Sequence, residues 1–284
     1  MTTELSLSKT ASVITKPCID IKYRSHCIFI PQEVTAGDIT SRSDSKKPFM
    51  MNFPIGSKAY FNWSSGKDSA LALYRALNRF DIKALLTVID STNNRIPMHG
   101  TNLDLLKAQS QSIGIPLVTC DINTEYSEDK YKISLQEIID KFKSQEISTA
   151  LFGDIHLLEL KIGREEKCRQ AGLKTDFPLW NNSPQELLHE FIDSGFKAII
   201  TCVDGSVLDK TFAGRMIDYD FINDLPDGVD ICGENGEYHS FVFDGPIFKE
   251  PVPCHLGPVS YKEYPCQDLK QNTGFWYIDI YNAP

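Results

Sequence analysis

From Lys58 onward, short apolar runs alternate with segments of helical periodicity, and this alternation constrains the fold more than any other feature of the chain. Ala59-Tyr60-Phe61 reads as a strand, and Asp68 to Arg79 as a helix with Leu71, Tyr74 and Leu77 on one face. Ile82 to Ile89 is almost continuously apolar, the pattern of a strand covered on both faces in a parallel sheet. Thr101-Asn102-Leu103-Asp104 has capping-box spacing and predicts a helix that ends at Gly114. A strand over Ile115 to Cys120 follows, then a helix carrying Tyr131, Leu135, Ile138, Ile139 and Phe142 at helical spacing. Thr149 to Phe152 is a further strand, with a helix after it that reaches Gln170. In Ser183-Pro184-Gln185-Glu186 the serine can cap, the proline suits the first helical position and the glutamate can reach back. That helix runs to Gly195 and feeds a strand at Ala198 to Val203. The pattern calls for an α/β fold, a doubly wound parallel sheet whose ligands sit beyond the carboxyl ends of its strands.

Charge narrows the function classes. The 284 residues include 29 basic and 38 acidic side chains, net −9. Residues 1–57 hold seven of the basic and five of the acidic ones, so the remaining 22 basic and 33 acidic residues leave the body at −11. So acidic a body argues against nucleic acid as a partner, because phosphate contacts need clustered Lys and Arg. No apolar run approaches the ~18 residues of a membrane-spanning helix. The eight cysteines include no C-x-x-C pair, which excludes zinc-ribbon spacing and points to reduced thiols and a cytoplasmic setting. Residues 1–57 are rich in Ser, Thr and Lys without periodicity and are expected to be a poorly ordered extension, with Met50 or Met51 as alternative natural starts. Their acidic content opposes a mitochondrial presequence.

The first strand-to-helix turn reads Asn62-Trp63-Ser64-Ser65-Gly66-Lys67-Asp68-Ser69. Small residues allow close backbone approach, and the helix beginning at Asp68 would aim free amides and its positive end at an anion. Ser64, Ser65 and Ser69 add hydroxyls and Lys67 a cation. The turn is not a Walker A loop, since Phe61 stands where that loop needs its first glycine. It resembles the pyrophosphatase loop Ser-Gly-Gly-x-Asp-Ser of the N-type ATP pyrophosphatases, which split ATP into AMP and pyrophosphate. Ser64, Gly66, Asp68 and Ser69 match, and Ser65 stands where glycine is usual.

Within that superfamily the chain resembles the diphthine–ammonia ligase family over roughly residues 58 to 250, through several separated motifs. These are Met98-His99-Gly100, Phe152-Gly153-Asp154-Ile155-His156, Phe177-Pro178-Leu179-Trp180, and Cys232-Gly233-Glu234-Asn235-Gly236-Glu237-Tyr238-His239-Ser240-Phe241. In the last, Asn235 replaces a glycine of the family pattern and His239-Ser240 replaces Glu-Thr, which leaves the acceptor open. The resemblance implies an adenine nucleotide alpha hydrolase-like domain at 58–180, a smaller α+β acceptor domain at 181–250, and a tail at 251–284 with a final strand at Gly274 to Ile278. It implies ATP and magnesium as cofactors and an amide ligase that adenylates a carboxylate and passes it to ammonia. The acceptor would be diphthine on elongation factor 2, and a homodimer is compatible.

On the resemblance, Asp68, Asp154, Glu234 and Glu237 are the catalytic candidates, with Asp68 and Asp154 also holding the metal. Ser64, Ser65, Gly66, Lys67, Asp68, Ser69, His99 and Gly153 would bind ATP. Glu159, Trp180, Asn235, Gly236 and His239 would meet the acceptor. Glu159 and Arg164 also read as an ordinary solvated helix face. The alternatives are a pyrophosphate-releasing ligase for another small-molecule or tRNA acceptor, and a nucleotide sensor without turnover.

Overall fold

The computed structural model describes residues 56–122, 128–264 and 273–283. The expected N-terminal extension therefore lies outside the described residues except for 56 and 57, as do Cys18, Cys27 and Cys266. The first unit alternates strands and helices: β1 (Ser57–Asn62), α1 (Lys67–Ala76), β2 (Phe80–Asp90), α2 (Leu103–Ile113), β3 (Leu117–Ile122), α3 (Glu128–Ser144), β4 (Thr149–Leu151), α4 (Leu158–Gln170) and β5 (Lys174–Asp176). Its five strands are all parallel, in the order β3-β2-β1-β4-β5. The chain winds from β1 to β2 and β3 on one side, then crosses to β4 and β5 on the other. A crevice opens at that reversal, between the carboxyl ends of β1 and β4, and this is where open α/β sheets bind ligands.

The apolar run in β2 is buried as its sequence requires, with Leu85, Leu86, Val88 and Ile89 all at most 4% exposed. Two helix details differ from expectation. In α1 the buried face is Ala70, Leu71, Leu73 and Ala76, while Tyr74 and Leu77 stay exposed. The three alanines at 70, 72 and 76 leave little side chain between helix and sheet, so close packing selects that face. In α2 the cap is Asn102, whose side chain accepts from Leu105 N at 2.9 Å. Thr101, one residue earlier, is drawn instead into a bond with Ser65. The proposed Ser183 cap forms as read, with Pro184 in the first turn and Gly195 left-handed at φ 85° beyond the helix end.

The second unit comprises α5 (Pro184–Asp193), β6 (Lys197–Asp204), a short 3-10 turn (Lys210–Phe212), α6 (Tyr219–Asp224), β7 (Tyr238–Asp244), β8 (Cys254–Tyr264) and β9 (Thr273–Asn282). Its sheet is antiparallel, in the order β7-β6-β9-β8. The strand after α5 thus leaves the parallel sheet and founds a second one. Residues 251–284, read from sequence as a tail with one strand, supply β8 and β9, and β9 lies between β6 and β8. Gly274 in β9 is covered by the Tyr261 ring of β8, which also packs on Trp276 at 4.6 Å between centroids.

Several side chains join the two units, and one of them braces the β1–α1 turn itself. Gln109 of α2 is fully buried; its Oε1 accepts from Trp63 Nε1 at 2.9 Å. Its Nε2 donates to the carbonyls of Ser65 (3.2 Å) and Val242 (2.6 Å). Val242 N in turn donates to Ser65 O at 2.9 Å, so β7 is laid directly against the β1–α1 turn. Replacing Gln109 by Leu strands a buried indole N–H and weakens both carbonyls, and the expected cost is about 3 kcal/mol of stability. Urea unfolding of the variant tests this; an unchanged midpoint would show that the amide carries no such burden.

Candidate active site

The site grows from the end of β1. Asn62 is buried, and its Nδ2 donates to Leu151 O at 2.9 Å, tying β1 to β4 beneath the crevice. Ser65 then turns the chain with φ 71°, the left-handed conformation that favours glycine. That explains why the resembling loops carry glycine here. The Ser65 side chain is buried away from the crevice, with Oγ 2.9 Å from Thr101 Oγ1, so the hydroxyl expected to face a ligand faces the core. Two glycines permit close approaches. A Cβ on Gly66 would stand 3.1 Å from Ser240 O, and one on Gly153 3.2 Å from the Asp68 carbonyl. Gly153 and Asp154, just after β4, therefore lie against the first turn of α1.

The start of α1 is partly satisfied from within. Lys67 N donates to Ser240 Oγ at 3.1 Å, Ser69 Oγ donates to Gly66 O at 2.9 Å, and Ser64 Oγ donates to Ser69 Oγ at 3.1 Å. The Lys67 side chain turns into the protein and is 5% exposed. Its ammonium donates to Asp68 Oδ2 at 2.8 Å and to the Cys232 carbonyl, and lies 4.9 Å from the centre of the Tyr238 ring. Burial pulls its pKa down, but Asp68 and the other groups around it outweigh that and hold it well above the usual lysine value. Desolvation raises the Asp68 carboxyl and Lys67 opposes the rise, while 30% of the Asp68 side chain still faces the open crevice.

The remaining carboxylates divide into two groups. Asp154 is 8% exposed and pairs with Arg164, whose Nε is 3.1 Å from Oδ1 and 2.9 Å from Oδ2. Glu234 accepts weakly from Ile155 N at 3.4 Å; burial first, then Asp68 and Asp154, push its carboxyl up to about 8. Glu237 is used differently. It accepts from Asp230 N (3.2 Å), Asn235 N (3.0 Å) and Asn235 Nδ2 (3.0 Å), so it shapes the 230–237 loop from inside. On the opposite wall His99 packs its ring 4.3 Å from that of His239, at 35°. Burial, with Lys67 nearby, lowers His99 to about 4, so its imidazole is neutral near pH 7.

These groups surround one cleft of about 220 Å³. Ser64, Gly66, Lys67, Asp68 and Ser69 line it from the turn, with Gly153 and Asp154 beside them and Glu234, Gly236, His99 and His239 across from them. Ser65, Glu159, Trp180, Asn235 and Glu237 do not line it. Glu159 is exposed, and Trp180 packs edge-on against Phe177 with Lys161 over its ring. The wall also holds polar residues to which the sequence assigned no role, Asn62, Arg164 and Ser240 among them. Of these, the apolar-to-polar change at the end of β1 was the available signal for Asn62. Buried polar atoms in the wall without a hydrogen-bond partner include Asn62 Oδ1 and His99 Nδ1, which suits a polar ligand. Among the described residues no group of three or more His, Cys, Asp or Glu forms a ready-made metal site. Magnesium fits nonetheless, because it uses one or two carboxylates together with waters and phosphate oxygens, and Asp68 and Asp154 line the same cleft.

A helix amino end and carboxylates gathered in one cleft at the switch point of a parallel sheet define an α/β protein built to bind an anionic ligand there. Models of the diphthamide synthase N-terminal domain and C-terminal domain match residues 57–175 and 183–269, and the chain belongs to the diphthamide synthase family. Relatives named diphthine–ammonia ligase include one from Mus musculus, 30% identical over 145 residues, covering 49% of this chain and 54% of that protein. The Homo sapiens protein of that name is 30% identical over 131 residues, covering 44% and 47%. That of Schizosaccharomyces pombe is 27% identical over 165 residues, covering 55% and 27%. The chain thus spans about half the length of the mammalian relatives and less of the yeast one. A solved structure titled as a predicted subunit of tRNA methyltransferase from Methanocaldococcus jannaschii matches 65% of this chain and 95% of its own, at 14% identity and a TM-score of 0.34, a likeness too slight to argue from.

The raised Glu234 carboxyl has a stability signature. Folded, it keeps a proton that the unfolded chain releases near the ordinary value of 4.5, so the native state loses stability as pH rises from there to about 8. Glu234→Gln removes that loss. The stability of the variant relative to wild type is expected to grow between those two pH values; parallel stability curves would contradict the assignment.

Proposed function

We propose that this chain is an ATP-dependent amide ligase that releases AMP and pyrophosphate, with diphthine on elongation factor 2 as acceptor and ammonia as nitrogen donor. One observation carries the reading: the amino end of α1, the carboxylates Asp68, Asp154 and Glu234, and the neutral His99 all line a single cleft at the switch point of a family-matched domain. The Ser64–Ser69 turn holds the β- and γ-phosphates through amides and hydroxyls, which stabilises the leaving pyrophosphate as charge develops on it. The acceptor carboxylate attacks the α-phosphorus to give an acyl-adenylate. Ammonia then attacks the acyl carbon, AMP leaves and the surplus proton is released. Magnesium bound by Asp68 and Asp154 would neutralise phosphate charge. Glu234, with a pKa near working pH, suits proton exchange with the nitrogen nucleophile. His99 offers its partnerless Nδ1 to a donor on the nucleotide, and Gly236 and His239 face the acceptor. Glu237 acts at one remove, holding the loop that carries Glu234. Placement and electrostatics suffice for this chemistry without a covalent enzyme intermediate.

No helix among the described residues is long and apolar enough to cross a membrane, and we place the reaction in the cytoplasm with its acceptor. Incubation with diphthine-bearing elongation factor 2, ATP, magnesium and ammonium is expected to yield diphthamide with AMP and pyrophosphate. Asp68→Asn is expected to lower AMP formation by about a hundredfold or more, the scale of losing a charged group aimed at the reacting centre. Release of ADP and phosphate by the wild type would contradict the proposal.

A further inference from the structure

A polyphosphate brought into this cleft meets three carboxylates, and the cation that the turn itself offers is already committed. Lys67 is buried, bonded to Asp68 and the Cys232 carbonyl, and covered by the Tyr238 ring. Among the described residues of the cleft wall one other cationic side chain appears, Arg164 of α4. Its surroundings are built. The guanidinium packs 4.8 Å from the centre of the Phe152 ring, and Nε is held 2.9 and 3.1 Å from the two oxygens of Asp154. Its side chain is 14% exposed and that of Asp154 8%, so the pair is largely removed from water. Gly153 brings this pair to the first turn of α1, since a Cβ there would lie 3.2 Å from the Asp68 carbonyl. A planar, pre-oriented guanidinium next to a helix amino end is the arrangement that recognises phosphate oxygens.

We propose that Arg164, not Lys67, is the cation that contacts the phosphates of the bound nucleotide, and that Asp154 and Phe152 position it. The inference rests on the ligase reading for the nucleotide and adds its phosphate-binding residue. Lys67 then becomes a structural cation that joins the turn to the 230–240 loop. Asp154 faces the cleft and also fixes the guanidinium plane, a constraint that a surface arginine on a solvated helix would lack.

Two simple probes separate phosphate recognition from a merely structural role. Binding of inorganic pyrophosphate and of adenosine is measured by calorimetry on the full chain, for wild type, Arg164→Gln, Arg164→Lys and Asp154→Asn, with thermal unfolding alongside. Arg164→Gln is expected to weaken pyrophosphate binding by roughly tenfold or more, the scale of one charge-assisted contact, and to leave adenosine binding in place. Arg164→Lys should recover part of the loss, because it restores the charge without the fork. Asp154→Asn should weaken pyrophosphate less than Arg164→Gln, although it removes negative charge from the cleft. Wild-type pyrophosphate affinity in Arg164→Gln overturns the proposal. So does an equal loss of adenosine and pyrophosphate with a lowered unfolding temperature, since that is what a structural arginine gives. The ligase reading fails separately, by ADP appearing as product.

Discussion

The bonds of the buried Lys67 ammonium are the interaction on which the rest of the site depends. A lysine taken out of water is costly unless its charge is met, and here a carboxylate, a carbonyl and an aromatic face meet it together. The partners come from both units: Asp68 from the first turn of α1, Cys232 and Tyr238 from the loop and strand of the second sheet. Removing the cation would leave Asp68 without its counter-charge and would release the 230–240 loop that carries Glu234. The geometry of the cleft is therefore set across the junction of the two units.

The same junction explains why the crevice is polar yet well defined. Gln109 locks the turn to β7, Ser240 takes one amide at the start of α1, and Gly66 and Gly153 admit backbone where a side chain would intrude. Each of these gives up freedom in the turn to fix where amides and carboxylates point. The result is a concave site whose walls differ: carboxylates and arginine beside β4, paired histidines beside β2. That division suits a nucleotide held at one end and an activated acceptor approached by a small nitrogen nucleophile at the other.

Much of the first unit, and the opening helix of the second, was legible because the signals are local. The apolar run of β2, the Ser183-Pro184 helix start and the position of the turn after β1 each depend on a few neighbouring residues. What escaped depends on distant partners. The direction of Lys67 is decided by Cys232 and Tyr238, more than 160 residues away. Ser65 could be seen as a departure from glycine, but its burial against Thr101 could not, since a helix cap had first claim on that threonine in the sequence. Arg164 sits on a helix whose polar residues surround it, so the solvated reading was natural until Asp154 and Phe152 appeared beside it. The closing residues looked like a tail because β8 and β9 pair in a second sheet, and no periodicity announces which sheet a strand will join. Glu237, placed by resemblance among the catalytic groups, accepts bonds on both carboxylate oxygens from within its own loop, which no local pattern announces.

The proposed chemistry centres on activation of a carboxylate as an acyl-adenylate in the cleft. Elongation factor 2 bearing diphthine with a heavy-oxygen label in its carboxylate tests this directly, through mass spectrometry of the nucleotide after turnover with ATP and ammonium. One labelled oxygen in the AMP phosphate is the predicted result, because the bond broken by ammonia leaves that oxygen on AMP. Label recovered in inorganic phosphate, with ADP as the nucleotide, would contradict it.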